Sequence, residues 1–232
     1  MRPLLMLCSL FFSVNAIAAL RIAIPPAFDT RHPVRSLVER AYAMLNIDIE
    51  VIVLPPRRSI WEVNNGNIDA EMARVEEVGN NYPELIKVPE PLGPLKIAVL
   101  SLNPDLAVSR WEDLYGLKVD CIRGFLYSEL RLGARAEYLS HPDLALERLR
   151  IGRSQVAVLP YEYALQLQQR SSFPRLHLLI IDQPTLYHYL HPRHQALVEP
   201  LSAAIRQLKQ QAAQPAGIEE SSAGSPAILL TP

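Results

Sequence analysis

The chain has 232 residues, of which 49% are hydrophobic and 20% are charged, with 23 basic and 24 acidic side chains. This composition is typical of a folded globular protein, and the absence of a basic excess argues against a nucleic-acid partner. The length allows one large domain or two of about 100 residues each.

The N-terminus has the pattern of a secretory signal. Met1-Arg2 is followed by an almost entirely apolar run at 4–14, and Ala16-Ile17-Ala18 matches an A-x-A cleavage site. The run is shorter than the roughly 20 residues that a membrane-spanning helix needs. We therefore expect residues 1–18 to be removed. The mature chain then has 22 basic and 24 acidic residues, a net charge of −2, and keeps Cys121, which we expect to be a buried strand residue.

The mature chain alternates short β-like runs with amphipathic helical runs. This alternation predicts an α/β fold with mainly parallel strands. Two of the runs end at proline pairs, and the apolar residues between 34 and 45 recur at helical spacing. Predicted strands cover 20–24, 49–54, 68–72, 85–88, 96–101, 117–122, 156–159, 176–181 and 186–190. Predicted helices cover 34–45, 57–65, 126–132, 142–152, 161–169 and about 197–208.

Two features mark the C-terminal region. Pro200 lies within the apolar pattern of the last helix, so this helix must begin late or kink. Residues 213–232 are rich in Ala, Pro, Gly, Ser and Glu, and we expect them to be disordered.

Three segments resemble motifs of one protein family. PRRSIWEVNNGNIDA at 56–70 is similar to a helix that passes to a strand through a G-x-x-D-a turn. WEDLYGLKV at 111–119 is similar to a "dL-G-x-x-V" motif, and LRIGRSQVAV at 149–158 to "L-x-x-G-r-x-D-a". Their order and spacing resemble the type II periplasmic solute-binding proteins, in the polar-amino-acid (family 3) branch of ABC-transporter-type binding proteins. YHYLH at 187–191 resembles a subgroup whose members are often not tied to a transporter.

The resemblance implies a two-lobe α/β architecture, the periplasmic-binding-protein type II fold, with mixed sheets, flanking helices and a two-segment hinge. Lobe 1 would comprise residues 19–95 and a return at 185–212, and lobe 2 would comprise 96–184. The hinge would lie near 94–100 and 181–187. Ligands of such proteins are buried between the lobes when these close.

Two arginines are candidate ligand-binding residues. Arg74 follows the strand predicted at 68–72, and ligand crevices lie at the carboxyl ends of strands in open α/β sheets. Its guanidinium could hold a carboxylate by two parallel hydrogen bonds. The alternative is a surface arginine paired with Glu76 or Glu77. Arg58 lies at the start of a predicted helix, and helix N-termini favour anions. Its charge could help to bind an anionic ligand there, or the side chain could simply be solvated.

A second group of candidates follows the strand at 117–122. The family has a Gly-Ser/Thr turn here, whose amides face the ligand, and this chain has Arg123-Gly124-Phe125. Gly124 preserves a close backbone approach. Arg123 and Phe125 replace small polar residues, which indicates a different ligand. The alternative for Phe125 is inward packing at the start of the helix.

Aromatic residues complete the candidate ligand site. Phe28 and Trp61 could form an aromatic wall, although such residues more often lie in a core. Tyr187 lies at the return into lobe 1. We expect His188 and His191 to bind no metal, since a spacing of three places them on opposite faces of a strand.

The expected function is periplasmic binding of a small anionic or zwitterionic, amino-acid-like solute, for a transporter or a membrane sensor. We expect a monomer without cofactor, metal or nucleic acid. The family's acidic residue for an α-ammonium group is replaced by Gln155, which argues against an ordinary α-amino acid. One alternative is a sensory or interaction module without ligand. Another is a dehydratase-like enzyme, for which Glu71 and Glu162 are the only candidate acids.

Overall fold

The computed structural model describes residues 19–28, 32–170 and 176–213. The predicted signal peptide at 1–18 lies outside these residues, as do residues 214–232 of the tail predicted at 213–232, whereas Ala213 is the last residue of a helix. Of the helices in the described ranges, none is both long enough and apolar enough to cross a membrane.

The described strands and helices follow the predicted alternation. The strands are β1 (Leu20–Ile24), β2 (Ile49–Val53), β3 (Ala70–Val75), β4 (Ile86–Lys87), β5 (Gly93–Pro94), β6 (Ile97–Ser101), β7 (Val119–Ile122), β8 (Ala136–Leu139), β9 (Val156–Pro160), β10 (His177–Asp182) and β11 (Thr185–Leu190). The α-helices are α1 (Pro33–Met44), α2 (Pro56–Asn64), α3 (Glu77–Asn81), α4 (Leu126–Leu132), α5 (Asp143–Arg150), α6 (Tyr161–Arg170) and α7 (Val198–Ala213).

The strands form two mixed sheets, one in each lobe. The first has the order β2-β1-β3-β11-β4, with β5 paired to β11, and the second has the order β10-β6-β9-β7-β8. β1 is parallel to β2 and β3, and β7 is parallel to β8 and β9, whereas β11, β6 and β10 make antiparallel pairs. The mixed α/β architecture is therefore confirmed. The expectation of mainly parallel strands is wrong, since five of the nine described strand pairs are antiparallel.

The antiparallel strands lie where the chain crosses between the lobes. It leaves the first sheet after β5 and enters the second at β6, at residues 94–97. It returns from β10 to β11 at residues 182–185. The two crossings run in opposite directions. The strands before and after them, β5 with β11 and β6 with β10, are therefore paired antiparallel. Two such crossings form the connection about which lobes of this architecture can rotate.

Lobe 1 is held together by helix faces that match their sequence period. Val38, Ala41 and Tyr42 of α1 are fully buried, and Leu201, Ala204, Ile205 and Leu208 form the buried face of α7. α7 begins at Val198, so Pro200 lies in its first turn, where its missing N–H would have had no partner within the helix. The late start of the helix, and not a kink, therefore accommodates Pro200.

Several elements differ from the sequence expectation. β3 begins at Ala70 and continues to Val75, past the predicted end at residue 72. Arg74 interrupted the apolar pattern, but it is buried within the strand because Glu71 neutralises its charge. β5, β8 and α3 were not predicted, since elements this short have a weak hydrophobic period.

Cys121 lies in β7 as a buried free thiol, as expected from the sequence. Burial raises the pKa of this thiol to about 12, so it stays protonated at neutral pH. Its role in the fold is that of a small apolar residue.

His188 is a buried polar residue at the centre of lobe 1. Its Nδ1 lies 3.1 Å from the Met72 carbonyl oxygen, and its Nε2 lies 2.8 Å from the Tyr42 hydroxyl. The neutral ring with its proton on Nδ1 can donate to the carbonyl and accept from the hydroxyl. Both ring nitrogens of His188 thus have protein partners.

This histidine should make the stability of the protein depend on pH. Burial lowers the pKa of His188 to about 4, whereas an unfolded chain protonates histidine near pH 6.5. The unfolded state therefore binds more protons in this window, and the free energy of unfolding should fall as the pH drops through it. The expected loss between pH 7 and pH 4 is roughly 3 kcal/mol. Urea denaturation at a series of pH values gives the free energy of unfolding as a function of pH. This free energy should fall less steeply between pH 7 and pH 4 in His188→Gln than in the wild type. The control variant His141→Gln changes an exposed histidine and should keep the wild-type pH dependence. An unaltered pH dependence in His188→Gln would show that His188 is not its cause.

Candidate functional site

A cavity of about 20 Å³ lies where the two lobes meet. Lobe 1 contributes residues from the turn after β1, the carboxyl end of β3 and β11, and lobe 2 contributes the start of α4. The lining residues are Phe28, Ala73, Arg74, Val75, Val78, Leu95, Phe125, Leu126, Tyr127 and Leu186. Three residues predicted for the ligand site, Phe28, Arg74 and Phe125, are brought together here.

Arg74 is 7% exposed and is held by the protein on two sides. Its Nε donates to Glu71 Oε1 at 3.0 Å, and its Nη2 donates to the Pro56 carbonyl at 2.8 Å and to Ser59 Oγ at 2.7 Å. Its Nη1 has no hydrogen-bond partner among the described residues. The alternative of a surface arginine paired with Glu76 or Glu77 is therefore wrong.

The partner of Arg74 is a fully buried carboxylate. Burial raises the pKa of Glu71, and the charge of Arg74 with the hydrogen bonds from Ser59 and Arg74 opposes that shift. Ser59 Oγ donates to the second carboxylate oxygen, so both oxygens of Glu71 are occupied. Sequence reasoning did not find Ser59, although a polar residue on the apolar face of α2, beside Ile60 and Val63, was a usable signal.

Tyr127, on the lobe 2 side of the cavity, was also not predicted. Its hydroxyl is buried and has no hydrogen-bond partner among the described residues. Its ring stacks on Phe125 with the centroids 5.5 Å apart. Burial raises the pKa of Tyr127 well above its usual value, and the positive charge of Arg74 opposes this shift, so the hydroxyl keeps its proton. The cavity thus has aromatic residues from both lobes in its lining.

Gly124 brings the two lobes into direct contact. It has a φ of +90°, and a β-carbon added to it would lie 2.7 Å from the backbone nitrogen of Arg57 and 3.1 Å from Cβ of Pro56. Those two residues form the first turn of α2 in lobe 1. The structure therefore has the close backbone approach expected for Gly124, and the contact is with the opposite lobe.

Arg58 and Trp61 lie away from this cavity. The buried face of α2 carries Ser59, Ile60 and Val63, so its period turns Arg58 and Trp61 toward solvent. Arg58 Nε donates to Glu62 at 3.2 Å, and Trp61 is 54% exposed. Both line a shallow depression on the surface of lobe 1. Trp61 is thus neither in the aromatic wall nor in the core.

Arg123 and Tyr187 also lie outside the cavity lining. Arg123 is exposed, and its Nη2 donates to the Tyr138 carbonyl at 2.8 Å. Tyr187 follows Leu186, which lines the cavity, and adjacent strand residues point to opposite faces. Lys87 Nζ lies 4.5 Å from the centroid of the Tyr187 ring.

The two candidate catalytic acids do not form a pair in the cavity. Neither Glu71 nor Glu162 is among its lining residues. Glu162 lies at the start of α6, with Oε2 3.9 Å from Nε2 of His32 in the opposite lobe. Within the described ranges, His, Cys, Asp and Glu form no group that could hold a metal ion.

Comparisons with known proteins identify relatives of this architecture. No protein-family model matches the chain. An uncharacterized protein of Shewanella oneidensis is 27% identical over 182 residues, which cover 74% of this chain and 69% of that protein.

Two solved structures extend the comparison to the fold. An amino acid ABC transporter substrate-binding protein of Streptococcus pneumoniae, bound to L-arginine, is 15% identical with a TM-score of 0.67, and the match covers 84% of this chain and 90% of that one. A histidine kinase sensor domain with similarity to periplasmic binding proteins is 13% identical with a TM-score of 0.71, covering 84% and 92%. Both matches are long enough to include the two lobes.

Proposed function

From the two-lobe fold of type II periplasmic binding proteins, which this chain has, we propose that it binds a small solute between its lobes at Arg74 and Tyr127. One observation carries the proposal. Arg74 of lobe 1 and Tyr127 of lobe 2 line the same cavity, and neither Arg74 Nη1 nor the buried Tyr127 hydroxyl has a partner among the described residues. A buried hydroxyl is nearly always hydrogen-bonded. A ligand oxygen between the lobes would satisfy the Tyr127 hydroxyl and could also accept from Arg74 Nη1.

The lining of the cavity supports a small carboxylic acid with an apolar body. Phe28, Phe125 and Tyr127 offer aromatic surface, and Arg74 offers a donor. None of the lining residues is acidic, so the cavity has no partner for an α-ammonium group. Gln155 is used elsewhere, since its Oε1 accepts from the Lys118 backbone at 2.9 Å. Among the anionic and zwitterionic solutes expected from the sequence, the anionic ones fit this lining better.

Ligand binding in this proposal requires movement of the lobes. A cavity of about 20 Å³ has room for about one water molecule. A solute must therefore enter while the lobes stand further apart, and the lobes then close on it about the segments at 94–97 and 182–185. The sites at Arg74 and Tyr127 come together only when this closure is complete.

The proposed setting is the periplasm, with a transporter or a membrane sensor as partner. The signal-like N-terminus supports export. The structural neighbours include both an ABC transporter binding protein and a histidine kinase sensor domain, so the fold is compatible with either partner. The chemistry of the cavity supports binding without catalysis, since Glu71 has both oxygens occupied.

Tyr127→Phe tests this function without damage to the core. The mature protein would be screened by thermal shift against monocarboxylates, dicarboxylates and amino acids, because a solute that binds only the folded state raises Tm. Without solute, Tyr127→Phe should unfold at the same temperature or higher, since it removes an unpaired buried hydroxyl. Its affinity for the active solute should fall about tenfold, as expected for one lost hydrogen bond of about 1.4 kcal/mol.

Tyr138→Phe is the matched control. The Tyr138 hydroxyl donates to the Gly133 carbonyl at 2.9 Å within lobe 2, and it does not line the cavity. This variant should lose some stability and keep the wild-type affinity. An unchanged affinity in Tyr127→Phe would refute the assignment of the site.

A sensory or interaction module without ligand is the second candidate function. It is favoured by the small volume of the cavity, about 20 Å³, which Phe125 and Tyr127 of lobe 2 line together with Phe28 and Leu186 of lobe 1. In such a module the closed arrangement would be stable by itself. A cooperatively folded protein that no solute stabilises would support this candidate over the first.

A further inference from the structure

Lobe 2 carries a groove of about 510 Å³ that is separate from the cavity between the lobes. It lies at the amino-terminal ends of β7 and β8, beside the turn that follows α5. β7 runs from Val119 at the groove to Ile122, which precedes Gly124 at the lobe contact. The two sites therefore lie at opposite ends of one strand, about 10 Å apart along it. The groove volume is in the range of small-molecule sites, about 300–1,000 Å³.

The floor of the groove holds an arginine that two carboxylates fix in place. Arg148 Nε donates to Oδ2 of the buried Asp120 at 2.8 Å, and its Nη2 donates to Glu137. Its Nη1 has no hydrogen-bond partner in the part of the chain that the structure describes. A guanidinium held on two sides presents its remaining donors in a fixed direction, which reduces the entropy lost on binding.

The rim of the groove is positively charged. Lys118, Arg135 and Arg153 are exposed, and none has an acidic partner within the described ranges. Arg135 lies over the Tyr115 ring, 4.7 Å from its centroid. Four basic and two acidic residues line the groove, a net charge of +2 on a surface whose side-chain donors outnumber its acceptors.

We propose that this groove binds a solute that carries a phosphate group. A phosphate ester has a charge of about −1.5 to −2 at neutral pH and three strong acceptor oxygens, which complement the net charge of +2 and the arginine donors. A single carboxylate offers half of this charge and fewer oxygens. The proposal does not depend on the function proposed for the cavity between the lobes, since no residue lines both sites.

Calorimetric titration of the mature protein at low ionic strength tests the groove, with glycerol phosphate, inorganic phosphate and succinate as probes. Glycerol phosphate and inorganic phosphate should bind, and succinate should bind more weakly. The double variant Lys118→Gln/Arg153→Gln changes only exposed side chains and should weaken phosphate binding at least tenfold. Arg150→Gln should bind as the wild type does, because Arg150, near the same end of α5, is paired with Glu147 outside the groove.

Amide chemical shifts locate the bound phosphate. Titration with glycerol phosphate should move the signals of residues 117–120, 134–137 and 148–153, and leave those of 124–127 unchanged. Pelleting with phosphatidylglycerol vesicles, lost in the double variant, would show that a lipid headgroup supplies the same chemistry. Unaltered phosphate binding in the double variant, an equal loss in Arg150→Gln, equal affinity for succinate or shifts confined to the lobe contact would each overturn the proposal.

Discussion

Arg74→Ala is expected to lower the free energy of unfolding by about 3–5 kcal/mol, the cost of removing one partner of a buried ion pair. The variant leaves the fully buried Glu71 carboxylate with Ser59 as its remaining partner. It also removes the guanidinium donor from Ser59 and from the Pro56 carbonyl. Urea denaturation at pH 7 measures the loss as a lower midpoint at constant slope.

Two further variants isolate the cause of this loss. Glu71→Leu/Arg74→Met replaces the pair with apolar side chains and should recover most of the stability, as is often found for buried pairs. Arg58→Ala breaks the exposed pair with Glu62 and should change the midpoint of urea denaturation little, since water screens exposed ion pairs. A loss in Arg74→Ala no larger than that in Arg58→Ala would mean that Arg74 is not needed to neutralise Glu71.

Because Arg74→Ala should lose stability as well as a ligand contact, this variant alone cannot test binding at the cavity. If a solute no longer stabilises Arg74→Ala, either the variant has lost a contact with the solute or it no longer folds. Tyr127→Phe separates the two outcomes, since the Tyr127 hydroxyl has no protein partner to lose within the described residues. Lobe 2 therefore offers the cleaner test of a site that the sequence placed mainly in lobe 1.

Gly124→Ala is expected to keep the lobes apart. The new β-carbon would lie 2.7 Å from the Arg57 backbone nitrogen, a distance at which one of the two lobes must move. The backbone around Arg57 belongs to the first turn of α2 and cannot rotate away as a side chain could. Small-angle X-ray scattering of the mature variant should give a larger radius of gyration than the wild type. Affinity for a solute bound between the lobes should fall at least tenfold.

Gly116→Ala is the matched control for this variant. Gly116 has a φ of +91°, almost the same as Gly124, but an added β-carbon would meet no atom within 4 Å. Both variants should lose about 1–3 kcal/mol of stability through the strained backbone. Only Gly124→Ala should change the radius of gyration, and equal radii in the two variants would contradict a role of Gly124 in lobe contact.

The order of the elements was predictable from the sequence because it depends on local patterns. The helical period at 34–45, the proline pairs after β1 and β2, and the segments at 56–70, 111–119 and 149–158 each act within a few residues. The order of these segments along the chain is enough to indicate a two-lobe α/β fold. Phe28, Arg74 and Phe125 were predictable for a related reason, since the ends of strands converge at the edge of a sheet.

The tertiary structure alone decided which groups are left without partners. Nothing near Arg74 in sequence distinguished Glu71 from Glu76 or Glu77 as its partner, because the choice depends on which carboxylate shares its buried face. Trp61 and Tyr127 are both aromatic residues of short helices, yet Trp61 is exposed to solvent and Tyr127 lines the cavity between the lobes. The burial and the hydrogen-bond partners of a side chain depend on contacts with residues distant in sequence. The periodicity of a single segment does not show which residues make those contacts.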